Sequence, residues 1–159
     1  MPRQWRGFSM VELLVTLSLL ALLATVAVPL GELSARRNRE MELRSNLREI
    51  RRAIDAYKRA VDDGQIEKKL GDSGYPPSLE VLAKGVDDSK SLESGKKIYF
   101  LRRIPRDPMC ACPDKPPQDT WTLRSYDSPP DSPRAGKDVF DISSSSTQEA
   151  LDGTHYNTW

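Results

Sequence analysis

The sequence predicts an α+β protein in which a long N-terminal helix packs on a small antiparallel β-sheet of about three strands. Three observations predict this class. Residues 13–31 contain no charged side chain. A helical pattern with one apolar face follows them directly. Short segments rich in β-branched and aromatic residues then appear in the last third of the chain.

The uncharged stretch is long enough for one membrane crossing. As a helix, residues 13–31 span about 28 Å, close to the hydrocarbon thickness of a bilayer. Thr16, Ser18 and Thr25 are polar, and each hydroxyl can donate back to a backbone carbonyl. Pro29 either ends this helix or bends a longer one, and the helical pattern that continues after it favours the longer helix.

Residues 32–63 are predicted to form the amphipathic second half of the same helix. Apolar residues recur there at intervals of four and three and define one stripe. The stripe consists of Leu43, Leu47, Ile50, Ile54, Tyr57 and Val61. The other faces carry many arginines with interleaved acidic residues, which is typical of a solvated, salt-bridged surface. Gly64 is the predicted end of the helix.

Residues 64–159 are predicted to form a small globular α+β domain. Residues 75–77, Tyr-Pro-Pro, predict an extended segment, and a short helix bearing Leu79 and Leu82 follows. Proline-rich loops separate the later strands. The strand candidates are residues 97–101, 121–126 and 138–142.

Composition argues against two classes of function. Lysine and arginine total 24 and aspartate and glutamate total 23, so the net charge of +1 gives no reason to expect a nucleic-acid partner. His155 is the sole histidine and lies in a polar segment, and no glycine-rich phosphate loop is present. The chain therefore has too few histidines for a histidine-rich metal site, and a Ser-His-Asp triad would depend on His155 alone. We predict a protein that is not an enzyme.

A carboxylate stands at the beginning of the uncharged stretch. Glu12 follows Phe8 by four residues and directly precedes the apolar segment. A charged side chain costs on the order of 3 kcal/mol at the centre of a membrane helix. Such a residue is functional by default and requires a partner for its charge.

The segment Arg-Gly-Phe-Ser-Met-Val-Glu at residues 6–12, with its apolar continuation, resembles the leader of type IV pilins and type II secretion pseudopilins. The resemblance implies a leader of residues 1–7, which prepilin peptidase removes after Gly7. It also implies N-methylation at Phe8 and assembly of the apolar helices, residues 8–31, into the core of a homo-oligomeric filament. The partner of Glu12 would then be the terminal amine on Phe8 of a neighbouring subunit.

Two other interpretations of the N-terminal region are weaker. A secretory signal peptide needs an apolar run of roughly 7–15 residues and a small-residue cleavage site, whereas this run is longer and Leu-Ser-Ala at residues 33–35 is a poor site. A plain membrane anchor explains the length of the run. It leaves Gly7, Phe8 and Glu12 without a role.

The later part of the chain resembles one branch of this family more closely. Tyr75-Pro76, the Ile-Pro-Arg-Asp-Pro motif at residues 104–108 and an Asp-rich C-terminal segment are similar to the major pseudopilin of type II secretion systems. This implies a structural subunit of a periplasmic pseudopilus that drives protein export. Minor pseudopilins, an inner-membrane assembly platform and an ATPase would be its partners. The alternative is a type IV pilin or minor pilin for adhesion, motility or DNA uptake.

The resemblance also implies a location. The protein would cross the inner membrane once, with its C-terminal domain in the periplasm. The charge pattern alone favours the opposite orientation, because more arginines follow the span than precede it. The N-terminal motif is more specific than a charge count, so we expect the orientation that the family implies.

Cys110 and Cys112 are two positions apart, which differs from the Cys-x-x-Cys of redox domains. Outside the cytoplasm two thiols tend to oxidise, and the flanking Pro108 and Pro113 allow the tight turn that such a disulfide needs. A disulfide is the first expectation and free thiols the second. A metal site is the third, since two thiolates fall short of the four ligands that structural zinc prefers.

Three carboxylates near the C-terminus form a candidate calcium site. Major pseudopilins hold calcium in their C-terminal loop, and Asp152-Gly153 resembles the later part of that loop. Asp138 and Asp141 are the other candidate ligands. Calcium requires six to eight oxygen ligands. The serine run at residues 143–146 stands where this family usually has an acidic residue and glycines. A solvated acidic loop is therefore the alternative to calcium, which is the one cofactor that the sequence suggests.

Overall fold

The computed structural model describes residues 7–93 and 95–159. The chain divides into two compact units with the boundary between Asn38 and Arg39. The elements are α1 (Met10–Asp62), α2 (Leu79–Lys84), β1 (Val86–Asp87), β2 (Lys97–Ile98), a 3₁₀ turn (Pro117–Thr120), β3 (Trp121–Arg124), β4 (Asp141–Ser144) and a second 3₁₀ turn (Tyr156–Thr158). The predicted α+β class, with a long N-terminal helix and small antiparallel sheets, is confirmed.

The first helix runs from Met10 to Asp62, close to the predicted residues 8–63. The α1 backbone runs through position 29 without leaving the helical conformation, so the proline does not end it. After Asp62 the chain turns at Gly64, whose φ of 71° is a left-handed value that suits glycine. Gln65 N donates to Ala60 O at 2.8 Å and Gly64 N to Val61 O at 2.9 Å, the Schellman pattern of a helix end.

The N-terminal part of α1 exposes its apolar side chains. An 18-residue window of the helix has a mean hydropathy of 2.5, and none of it is buried within the protein. Leu17 and Leu23 are 61% and 67% exposed. Among the described residues, α1 is therefore one helix whose length and composition would allow it to cross a membrane.

The second unit has its core on the apolar stripe of α1. All six stripe residues are buried, and Leu43 and Ile50 are completely inaccessible. Leu79 and Leu82 of α2, Trp121 of β3 and other apolar residues pack in the same cluster. Burial of each large apolar side chain contributes about 1.5–3 kcal/mol, so this stripe supplies much of the unit's stability.

The helix α2 ends where only glycine fits. Gly85 has a φ of 79°, and its N–H donates to Val81 O at 3.1 Å. A Cβ atom at position 85 would lie 2.8 Å from the Tyr99 ring. Gly85 therefore permits both the left-handed backbone and the close packing of Tyr99.

The strands form two separate two-stranded sheets, which differs from the expected single sheet of about three strands. In the first sheet β1 pairs antiparallel with β2, and Val86 lies opposite Ile98. In the second, β3 pairs antiparallel with β4, and Leu123 lies opposite Ile142. Both are too small to be stable alone and depend on the core beside them.

Competing hydrogen bonds explain why the predicted strands are shortened. The N–H groups of Phe100 and Leu101 both donate to Leu82 O, at 3.0 and 2.9 Å. These two residues therefore bond to the end of α2 and cannot extend β2. Val139 N donates to Pro76 O at 2.8 Å, which ties the start of the third strand candidate to the segment before α2.

Candidate functional site

The predicted processing site lies ahead of α1. Gly7 and Phe8 precede the first helical residue and are exposed, Phe8 by 74%. Among the described residues, a Cβ atom added at Gly7 would meet nothing beyond its chain neighbours within 4 Å. Residues 1–6, most of the predicted leader, lie outside the described residues. The peptide bond between Gly7 and Phe8 is thus in non-helical, exposed chain, the conformation that a peptidase needs to reach it.

Glu12 lies in the first turn of α1 and is exposed. Its carboxylate is placed near the helix N-terminus, where the helix dipole favours negative charge. Position 8 is four residues earlier, which is the spacing of one helical turn. An amine created at Phe8 and the Glu12 carboxylate would therefore stand at the same end of the helix with opposite charges.

The polar side chains of the apolar segment satisfy their hydrogen bonds inside the helix. Thr16 donates to Leu13 O at 2.9 Å, and Thr25 donates to Leu22 O at 2.7 Å. Ser18 makes the same kind of bond to the carbonyl four residues back. This confirms the prediction for the three hydroxyls and makes the segment compatible with a medium that offers no hydrogen bonds.

The three carboxylates predicted to share calcium are engaged by different groups. Asp141 forms an ion pair with Arg51 at 2.8 Å. Asp152 forms one with Arg44, also at 2.8 Å. Asp138 is buried and accepts hydrogen bonds from serine hydroxyls and an amide. No group of three or more His, Cys, Asp or Glu residues suited to a metal occurs within residues 7–93 and 95–159. This arrangement does not fit a calcium ion shared by the three.

Asp138 connects three parts of the chain. Its carboxylate accepts bonds from the Ser73 hydroxyl, the Ser125 hydroxyl at 2.7 Å and Tyr126 N at 2.8 Å. Burial alone would raise the pKa of Asp138, but these donors outweigh it and hold the pKa below its ordinary value. Its stabilising contribution is therefore present above the ordinary carboxyl pKa and is lost as the pH falls through the lower folded-state pKa.

Sequence reasoning missed the role of Asp107. This carboxylate is 2% exposed and accepts bonds from the Ser144 hydroxyl at 2.7 Å, Ser145 N at 3.1 Å and Met109 N at 2.8 Å. The serine run thus has a structural function, because its hydroxyls and amides surround a buried charge. The spacing between Asp107 and the serines is too long for a sequence pattern to reveal.

Three side chains of α1 hold the C-terminal segment, and we call Glu40, Arg44 and Arg51 the C-terminal anchor. Arg44 pairs with Asp152 and lies over the Trp159 ring, 4.1 Å from its centroid. Arg51 pairs with Asp141, and it also donates to the carbonyls of Ile142 at 2.9 Å and Trp159 at 3.0 Å.

Glu40 is the buried member of the C-terminal anchor. One of its oxygens accepts bonds from Leu151 N at 2.9 Å and from the Tyr156 hydroxyl at 2.7 Å. Tyr156 is itself 1% exposed. A sequence signal for this role existed, since position 40 precedes Leu43 by three residues and so lies on the apolar stripe.

The remaining residues singled out from the sequence are Cys110, Cys112 and His155. The Cα atoms of Cys110 and Cys112 lie 5.3 Å apart, a separation that a disulfide spans. The redox state of this pair in the protein stays a prediction. The His155 ring is exposed, and its Nδ1 lies 3.0 Å from Thr147 O. This is a loop contact.

Comparison with known families identifies the N-terminal segment. Residues 6–28 match the prokaryotic N-terminal methylation motif. The motif supports a type IV pilin-like, prepilin-processed protein and is typical of structural subunits. Comparisons with curated proteins and with solved structures give no significant match.

We expect Glu40→Ala to destabilise the second unit by about 1–3 kcal/mol, because it leaves the buried Tyr156 hydroxyl and Leu151 N without this acceptor. Glu40→Gln keeps an oxygen there and should cost less. Glu42→Ala, at an exposed position, is the control. Thermal melting of the full chain in detergent, followed by tryptophan fluorescence, measures the difference. Equal melting temperatures for Glu40→Ala and Glu42→Ala would contradict the anchoring role.

We also expect the melting temperature to be the same in millimolar calcium and in chelator. The carboxylates of Asp141 and Asp152 already have guanidinium partners, so calcium would have to displace them. A bound ion at 100 times its dissociation constant would add about 2.7 kcal/mol, which a melting curve resolves easily. An increase in calcium that Asp152→Ala abolishes would show that this segment does bind the ion.

Proposed function

We propose that this protein is a structural, non-enzymatic subunit of a periplasmic pseudopilus that drives protein export through a type II secretion system. The observation that carries the proposal is the prepilin-type motif at residues 6–28, in which Gly7-Phe8 stands ahead of an exposed apolar helix bearing Glu12. The chain is anchored in the inner membrane by one span, with Arg39–Trp159 in the periplasm.

Exposure of the apolar residues explains why such a subunit polymerises. A soluble protein rarely leaves a long apolar surface open, and such a surface is covered by lipid or by other protein. In the membrane the first part of α1 contacts lipid. In the filament the same residues contact the helices of neighbouring subunits. Moving a helix between these two apolar surroundings costs little hydrophobic free energy. Packing and charge pairing therefore decide whether the helices associate into a filament.

Glu12 supplies the charge pairing in this proposal. A lone carboxylate at this position is unfavourable in lipid, and its partner is the methylated amine of Phe8 on the neighbouring subunit. The pair forms only between properly staggered helices. It therefore makes assembly specific, because any other register leaves a charge unpaired in an apolar surrounding.

The features that favour a pseudopilin over a pilin lie in the second unit. The Ile-Pro-Arg-Asp-Pro motif at residues 104–108 resembles that of major pseudopilins, and its Asp107 is the buried acceptor for the serine run. Prepilin peptidase, minor pseudopilins, the assembly platform and its ATPase are the partners that this proposal requires.

Processing is expected to remove residues 1–7. Intact-mass analysis of the protein from its native membrane should give a chain that begins at Phe8 and carries one added methyl group. Gly7→Leu should block the cut without disturbing the fold, because no described residue beyond its chain neighbours lies within 4 Å of the added Cβ position. A mature chain that begins near Ala35 would instead indicate a conventional signal peptide.

Glu12→Val is expected to abolish filament formation and leave the second unit folded. Loss of the pair leaves the neighbouring amine without its partner, at a cost of about 3 kcal/mol, or roughly a hundredfold in association. Far-UV circular dichroism in detergent checks the fold, and filaments sheared from cells check assembly. Glu32→Val, an exposed glutamate of the same helix, is the matched control. Normal filament yield from Glu12→Val would remove the assigned role.

A further inference from the structure

A surface groove of about 1150 Å³ lies between α1 and residues 100–106. Arginines and glutamates line it. They are Arg48, Arg52, Arg102, Arg103 and Arg106, with Glu42 and Glu49. We call it the arginine groove. Five positive side chains against two negative ones are concentrated here, in a chain whose net charge is only +1.

The backbone of the arginine groove is fixed in place. Asn46 on α1 donates to Arg106 O at 2.9 Å. The Trp121 indole donates to Pro105 O, also at 2.9 Å. Residues 100–106 are therefore tied to α1 on one side and to β3 on the other. A partner that binds this groove meets a preformed surface and does not have to order a loop.

Four of the five arginines are available to a partner. Arg48, Arg52, Arg102 and Arg103 are exposed. Within the described part of the chain, none of these four guanidiniums forms an ion pair. Arg106 is different, because it donates to the carbonyls of Cys112 and Lys115 and so supports the adjacent loop.

Two exposed carboxylates of the second unit lie at the C-terminal end of α1, where negative charge is unfavourable. Asp62 ends α1 and Asp63 follows it, both exposed. The negative end of the helix dipole repels carboxylates at this position. Asp62 is paired with Lys58 on its own helix. Among the described residues Asp63 forms no ion pair, so this end of the helix is an acidic surface that intrachain contacts leave partly uncompensated.

We propose that the arginine groove binds a second copy of this chain, through Asp62 and Asp63 at the end of that copy's α1. The proposal rests on the proposed filament function, which holds identical helices parallel and staggered. Along α1, position 63 lies about 16–22 Å beyond positions 52 and 48. This stagger is larger than the one of about 6 Å that pairs Glu12 with Phe8. It therefore brings the acidic helix end of one copy beside the groove of a more distant copy in the same filament.

Charge reversal and charge swap test the contact in the full chain. Arg102→Glu combined with Arg103→Glu should lower the filament yield from cells about tenfold, because attraction becomes repulsion at two positions. Asp62→Arg combined with Asp63→Arg should lower it similarly. The chain carrying all four changes should recover to within about twofold of the wild-type yield. Arg134→Glu, an exposed arginine outside the groove, is the matched control and should assemble normally.

The outcomes distinguish a contact between copies from a folding defect and from a lipid or nucleic-acid partner. Equal melting temperatures of the variants show that assembly is affected and folding is not. Loss of yield in Asp62→Arg with Asp63→Arg, followed by recovery in the fourfold variant, supports a contact between copies, since an anionic lipid or nucleic acid would bind the added arginines more tightly. Wild-type yield from Arg102→Glu with Arg103→Glu, or failure of the fourfold variant to recover, overturns the proposal. If the wild-type chain forms no filament, the proposed function fails and this contact with it.

Discussion

Burial of the apolar stripe on α1 is the constraint on which the second unit depends. Both two-stranded sheets are too short to hold themselves, and α2 has six residues. Each of them contributes side chains to or against the apolar cluster that contains the stripe. The C-terminal anchor lies on the same helix, and Glu40 is in register with the stripe. One helix surface therefore provides the core and positions the charged side chains that hold the C-terminal segment.

The C-terminal anchor also explains how a polar segment keeps its shape. Asp141, Asp152 and the carbonyls of Ile142 and Trp159 are satisfied by two guanidiniums. The buried Glu40 and Asp107 bind hydroxyls and amides. A divalent ion would gather such oxygens around one centre. Here the protein distributes them over separate cationic and hydrogen-bonding partners, and within the described residues the three aspartates form no metal-binding group.

The predictable parts of the structure are those that rest on local patterns. The length of α1, the turn at Gly64 that follows its last residue Asp62, the buried stripe and the back-bonding of Thr16 and Thr25 all follow from periodicity or from bonds within a few residues. The N-terminal motif is equally local, and its spacing is readable directly. By contrast, the prediction of a single sheet of about three strands was wrong. Leu82 O and Pro76 O accept hydrogen bonds from backbone N–H groups that strand pairing would have used. Asp107 and the serine run are separated by more than 30 residues, beyond the reach of any local pattern.

The two units differ in how they treat the apolar side chains of α1, which are exposed in the first unit and mostly buried in the second. Arg39–Trp159 buries most of its large apolar residues in a core on α1, and ion pairs engage several of its charges, among them Arg44 and Arg51. The first part of α1 exposes leucines and satisfies its hydroxyls internally, which suits lipid or other helices and excludes water. A filament held by the first part alone would be joined by apolar contacts with little preference for register. Charges supply that preference, because a mispaired carboxylate or guanidinium is costly in any alternative alignment. Glu12 supplies it within the apolar layer, and in our proposal the arginine groove supplies it outside.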